Sequence, residues 1–191
     1  ERLVHLHHAE IPQDFRVEAR VEQVEDGVLD AADVLVHGHP VLRRRAVEHA
    51  DTVALKELGY DGAVRRTWTY AQLLADSERL ARALASRHAP GARIAVYANN
   101  VPEWVLLEFG SAMAGLTLVT VNPAYQKREL KYVLEQSRSE GIYYVEEFRG
   151  TPMQAIADEV CAEISAIKHR ILLTDHAALF AGEEAGVLPS V

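Results

Sequence analysis

Thr67–Tyr125 reads TWTYAQLLADSERLARALASRHAPGARIAVYANNVPEWVLLEFGSAMAGLTLVTVNPAY. It holds two helix–strand units in succession, each with its own start and stop signals. Thr69-Tyr-Ala-Gln72 has the spacing of a capping box, in which the hydroxyl accepts a backbone N–H and the glutamine reaches back. Leu73, Leu80 and Leu84, with Leu74 and Ala81 beside them, make an apolar stripe at helical spacing. Pro90-Gly91 stops that helix. Arg93–Ala98 is a short apolar run suited to a strand buried on both faces. Asn100-Val-Pro-Glu103 offers a side-chain cap, an early proline and an acid at the positive end of the next helix, which Gly115 ends. Leu116–Val121 is a strand rich in β-branched residues, and Asn122-Pro-Ala-Tyr125 is a loop.

The same alternation continues on both sides. Upstream, Thr52–Lys56 and Arg66–Thr69 read as strands joined by a turn at Gly59–Gly62, a hairpin. Val41–His49 reads as a helix with Arg43, Arg44 and Arg45 on its surface, and His37-Gly-His-Pro40 as a loop before it. Phe15–Glu22 alternates in part, as a short exposed strand would, and 28–36 fits either a short helix or a strand. Downstream, Gln126–Ser139 is an amphipathic helix with Leu130, Val133 and Leu134 inward, broken by Gly141. Ile142–Val145 is a strand. Thr151-Pro152 opens a further helix with Ile156, Val160 and Ile164 inward, and Arg170–Thr174 is a last strand. Residues 176–191 show little periodicity and read as a linker. Strands alternating with helices of this length predict an α/β fold with a mostly parallel sheet, flanked by helices through right-handed crossovers.

Composition narrows the function. The chain has 191 residues, 49% of them hydrophobic, with a net charge of −8. That balance disfavours a nucleic-acid or anionic-membrane surface. Nine acids and three Arg fall in residues 1–40, a net of −6, so the first 36 residues read as an acidic extension. There is no run long and apolar enough for a membrane span, and no basic-then-apolar leader. The one cysteine, Cys161, fits a reducing, cytoplasmic setting.

TWTYAQL, PEWVLLEFGSAMAGLTLVTVNPAY, the REL at 128–130 with YVL at 132–134, and FRG at 148–150 together resemble the N-terminal part of acyl-CoA synthetases. These belong to the superfamily of acyl- and aryl-CoA ligases, peptide-synthetase adenylation domains and firefly luciferases. The likeness covers about residues 37–175 and is closest in wording to fatty-acyl-type ligases. TWTYAQL resembles the superfamily's first core motif and SAMAGLTLVTVNPAY its second. The resemblance implies an incomplete large, N-terminal domain of the acyl-adenylate-forming fold. It implies a two-step reaction in which ATP and a carboxylic acid give an acyl-adenylate, which coenzyme A then attacks. ATP, Mg²⁺ and coenzyme A are the cofactors it implies. The family's Ser/Thr/Gly-rich phosphate loop ending in Pro-Lys-Gly does not occur before Val191. Residues 176–191 are therefore expected to lead towards it, and the chain alone is expected to be inactive, with the remainder of the enzyme or a partner chain holding the ATP.

By the same resemblance, Asn122, Pro123 and Arg149 are candidates to hold the nucleotide end of coenzyme A. A guanidinium fork suits phosphate oxygens. The bland alternative makes Asn122-Pro123 a turn and Arg149 a solvated side chain. No catalytic residue is expected in this chain. Trp68 and Trp104 are expected to pack rather than stack on a cofactor. Cys161 lacks an activating neighbourhood. His5, His7, His8, His37 and His39 lack the acid or Cys partners of a zinc site, so no metal is expected. Arg43–Arg45 reads as a solvated face that could meet acids of a neighbouring subunit in a homodimer. Two rival readings are a non-catalytic interaction module that pairs with another chain, and an unrelated nucleotide-binding α/β domain. The absence of a Gly-rich strand-to-helix turn counts against the latter.

Overall fold

The computed structural model describes residues 31–189, with side chains from Pro40 onward. The acidic extension up to residue 30, including the expected strand at Phe15–Glu22, lies outside the described residues, as does the metal reading of His5, His7 and His8. Helix α1 (Ala31–Glu48) leads into a hairpin of β1 (Val53–Leu58) and β2 (Val64–Thr69). Then come α2 (Tyr70–Ala85), β3 (Arg93–Tyr97), α3 (Pro102–Met113), β4 (Thr117–Val121) and α4 (Lys127–Ser137). The chain continues through β5 (Gly141–Tyr144), α5 (Met153–Glu163), β6 (His169–Leu172) and α6 (His176–Phe180).

Four strands form a wholly parallel sheet in the order β4-β3-β5-β6. β3 and β5 are its interior strands, and Ile94–Tyr97 and Gly141–Tyr144 are buried throughout. Only a strand covered on both faces can be apolar at successive positions, as Ile94-Ala-Val-Tyr97 is. α2 packs on α3, and α4 on α5. Right-handed crossovers place α3 on one face of the sheet, and α4 and α5 on the other. Leu80, Leu84, Leu107, Leu130 and Leu134 are wholly or almost wholly buried beneath these helices. Each contributes about 1.5–3 kcal/mol relative to exposure. The antiparallel β1–β2 hairpin is a separate two-stranded sheet, packed on α2 and α3.

Local punctuation is partly as expected. The Thr69–Gln72 capping box is formed in both directions, at 3.3 and 2.9 Å. α3 differs: its N-cap is Val101, without a side-chain cap bond, so Asn100 does not cap it. α4 ends at Arg138 in the left-handed region (φ 55°), three residues before Gly141. Gly141 instead opens β5. Thr151 belongs to the turn before α5, whose N-cap is Pro152. The expected loop at His37–Pro40 is the middle of α1, which carries Pro40 inside it. Proline disfavours a helix interior locally, but α1 packs against both α2 and α3, and Leu42 is buried.

The reading of 176–191 as a linker is also corrected. α6 starts at Asp175, whose carboxylate accepts the Ala178 N–H at 3.0 Å. Leu179 is fully buried. The Arg79 guanidinium binds Glu183 at 2.8 and 3.1 Å and lies over the Phe180 ring. Further on, a Cβ at Gly186 would stand 1.8 Å from the Arg82 carbonyl oxygen, so this residue touches α2 backbone to backbone. Residues 176–188 are therefore part of the packed body.

Trp68 and Trp104 pack as expected: Trp68 is buried, with its indole N–H on Asp76 at 3.0 Å, and Trp104 lies half-buried against the core. Cys161 is buried, and burial pushes its thiol up to about 11, away from thiolate chemistry. Among the described residues no group of three or more His, Cys, Asp or Glu could hold a metal ion, and no helix is long and apolar enough to cross a membrane.

Candidate functional site at the carboxyl end of the sheet

The strand order carries a topological consequence. From β3 the chain crosses to β4 on one side; from β4 it returns over β3 to β5 on the other. Connections leaving β3 and β5 thus diverge, and their carboxyl ends border the crevice where open α/β sheets bind ligands. Asn122, Pro123 and Arg149 all lie at that end, on the loops that follow β4 and β5. Those strands flank β3 and stand about 10 Å apart.

The Asn122 loop is closed on itself and tied to the sheet. The Asn122 side-chain oxygen accepts the Ala124 N–H at 2.9 Å, and its carbonyl accepts the Tyr125 N–H at 3.0 Å. Tyr97, at the end of β3, donates its hydroxyl to the Tyr125 carbonyl at 2.5 Å. Burial pushes the Tyr97 phenol up, which keeps it a donor. Asn122 is exposed and Pro123 half-buried. The side-chain oxygen of Asn122 is therefore used within the turn, which leaves its amide N–H₂ to face outward.

Arg149 sits on a tight turn. Phe148 and Thr151 exchange backbone hydrogen bonds at 3.1 and 2.9 Å, and the two residues between them have φ of 52° and 79°. That is the twist of a type I′ turn, for which Gly150 is suited and an arginine is costly. The Arg149 guanidinium lies 5.3 Å from the Phe148 ring centre and is exposed. Glu146 and Glu147 are both exposed.

A third group at this end is one the sequence marks only as an acid in the first turn of α3. Glu103 is 3% exposed, and its carboxylate joins three elements. Arg66 on β2 donates to both its oxygens, at 2.5 and 3.2 Å, while its Nε holds Glu57 on β1 at 2.6 Å. His176, the first residue of α6, lies 2.8 Å from the same carboxylate. Burial alone would raise the Glu103 carboxyl, but the hydrogen bonds from Arg66, the helix backbone and His176 hold it below its ordinary value. Glu57 and, after it, Glu103 push the Arg66 guanidinium higher still, against the desolvation that would lower it. The signal in the sequence is the alternation of β2: Arg66 shares a face with the inward Trp68, and a half-buried Arg there calls for an acid.

The carboxyl end thus offers an exposed guanidinium and an exposed amide on the loops after β5 and β4, beside an ion-paired cluster; groups of this kind are suited to meeting an anion.

Comparisons with known proteins agree with this architecture. The family model described as AMP-binding enzyme matches residues 42–187. The mitochondrial medium-chain acyl-CoA ligase ACSF2 of Rattus norvegicus is 38% identical over 96 residues, which is 50% of this chain and 16% of that protein. Its counterpart in Homo sapiens is 33% identical over 97 residues. Among solved structures, the N-terminal domain of FACL13 from Mycobacterium tuberculosis superposes with a TM-score of 0.64 at 24% identity, covering 80% of this chain and 38% of that one. A fatty acyl CoA synthetase of the same organism gives 0.65 at 24% identity, covering 83% and 30%. The chain spans less than a fifth of the length of the rat relative and little more than a third of the solved domain.

Proposed function

Given that the chain belongs to the AMP-binding enzyme family, we propose that it forms the N-terminal portion of an ATP-dependent acyl-CoA synthetase. The observation that carries this reading is the pair of motifs TWTYAQL and SAMAGLTLVTVNPAY, in order, inside the region the family model matches. The substrate is a fatty or related hydrophobic carboxylic acid, consistent with the medium-chain ligases among the relatives.

A carboxylate is a poor electrophile. Transfer of AMP from ATP to its oxygen releases pyrophosphate and creates a leaving group. Attack by the coenzyme A thiolate on the acyl carbon then expels AMP and forms the thioester. Polyphosphate charge has to be met by backbone N–H groups, Lys and Mg²⁺. This reading gives that work, and ATP binding with it, to the remainder of the enzyme, where Mg²⁺ when bound would offset polyphosphate charge. This chain's own part is scaffold and anchorage. Arg149 pairs with a phosphate of the coenzyme A nucleotide, the Asn122 amide donates beside it, and Pro123 fixes the loop. A cytoplasmic location belongs to the same reading.

A second reading, a non-catalytic module that pairs with another chain, is favoured by one observation: among the described residues β4 pairs on one side only. One experiment separates the two. The parent reading frame, expressed with whatever follows Val191, should release AMP and pyrophosphate from ATP when given a fatty acid and coenzyme A. The 191-residue chain alone should not. A frame with no Thr/Ser/Gly-rich loop ending in Lys-Gly downstream of Val191, or turnover by the 191-residue chain itself, overturns the proposal.

A further inference from the structure

A separate cluster of titratable side chains lies at the opposite, amino end of the sheet. His88, just past α2, is 3% exposed. Its Nδ1 lies 2.8 Å from Glu140 Oε1, and its Nε2 lies 3.1 Å from the Tyr143 hydroxyl. The His169 ring meets it edge-on, with 4.8 Å between ring centres. Gly141 closes another side, since a Cβ there would stand 2.8 Å from the imidazole Cε1. The ring is thereby held between the end of α2 and the starts of β5 and β6.

The proton inventory follows from the partners. A carboxylate at Nδ1 requires Nδ1 to carry hydrogen, so the neutral ring accepts at Nε2, and the Tyr143 hydroxyl donates to it. Burial pushes the Tyr143 phenol up to about 12, so it remains a donor. A second proton on His88 would have to sit at Nε2, and the buried Tyr143 hydroxyl, already bonded by Arg87, would have to turn its own hydrogen away to accept it. The charged groups facing the ring are Glu140, which favours the proton, and Arg87 and His169, which oppose it. Lys168, 3.8 Å from the other oxygen of Glu140, competes for that carboxylate. Desolvation outweighs Glu140 and lowers His88 below its ordinary value.

The adjacent residue extends the cluster. Arg87 donates to the carbonyls of Ala178, Leu179 and Ala181 at 2.5, 3.0 and 2.8 Å, and so holds the end of α6. We propose that His88 is an acid-sensitive latch, whose protonation parts the end of α2 from β5 and β6 and, through Arg87, loosens α6 and the segment to residue 187. The inference does not depend on the acyl-activation reading.

The sign of the linkage is fixed. A histidine lowered by folding binds fewer protons in the native than in the unfolded state. Its contribution is complete above about pH 6.5 and is lost as pH falls below that value. Hydrogen exchange followed by mass spectrometry on the 191-residue chain tests it at pH 7.5 and 5.0, corrected for intrinsic rates. Protection should fall in 86–93, 140–144 and 176–187, by up to about tenfold per pH unit, the limit for one proton. α4 and α5 should hold. His88→Gln should abolish the dependence, and His169→Gln should retain it. Equal loss everywhere, no loss, or persistence in His88→Gln overturns the proposal. A reading on the unaltered chain guards against a variant that does not fold: imidazole nitrogen shifts should show His88 neutral with its proton on Nδ1 and titrating below 6.5. Titration at or above 6.5 overturns the proposal as well.

Discussion

The two ends of the parallel sheet solve one problem in opposite ways. Each buries a titratable side chain that ties three elements together. At the carboxyl end Glu103 is kept charged by Arg66 and His176. At the amino end His88 is kept neutral between Glu140 and Tyr143. At the carboxyl edge Asn122 and Arg149 are both exposed. At the amino end Gly141 and His169 close around the His88 ring. The carboxyl ends of the strands are where open α/β sheets generally bind ligands, and the histidine cluster lies at the other end.

Breaking the carboxyl-end cluster should have the largest effect. Arg66→Ala leaves Glu103 buried beside His176 and without its guanidinium partner. A loss of about 3 kcal/mol in urea unfolding is expected, at the low end of the range for buried pairs, because Arg66 itself is partly screened by water. At the amino end, Gly141→Ala forces the His88 ring aside and should cost about 2 kcal/mol, an overpacking effect. A smaller loss at Gly141 than at the distant cap of α2 would show that the amino end is looser than its contacts imply.

Acid should separate the ends by pH, with a slope of at most about 1.4 kcal/mol per pH unit for each proton. Stability owed to neutral His88 is lost as pH falls below about 6.5. Stability owed to ionised Glu103 is lost only below about 4.5, because its carboxyl is held down in the folded state. Circular dichroism melts across pH 8 to 3 should show two steps, and Arg66→Ala should remove the lower one. Thr69→Ala, which opens the capping box between hairpin and α2, should cost about 1 kcal/mol by thermal melting. Lys131→Ala on the exposed α4–α5 ladder should leave the melting midpoint unchanged. Its partner Glu163 is held down to about 2 by Lys131 and Lys127, yet all three face water.

What could be read from the sequence was what neighbours in the chain decide. The capping box at Thr69–Gln72, the buried run of β3 and the hairpin turn are short-range, and each formed. So was the placing of Asn122 and Arg149 at one end, because alternation of strands and helices fixes which loops share an edge. What escaped depends on residues far apart. Pro40 argues locally for a loop, yet packing carries α1 through it. The α6 sequence is too short for periodicity; Leu179 burial and the Arg87 clamp make it helical. Glu103 looked like an ordinary acid at a helix start until Arg66, 37 positions earlier, met it.

The fit of Gly186 on the Arg82 carbonyl makes an inconspicuous position exacting. A saturation scan of the last fifteen residues would tolerate most letters at Glu184 or Val187, which are exposed, and return a single one at 186. An elastase digest would likewise be expected to spare residues 177–187 while they stay seated, so their resistance to cutting after Ala or Val would report on whether the whole sheet has assembled.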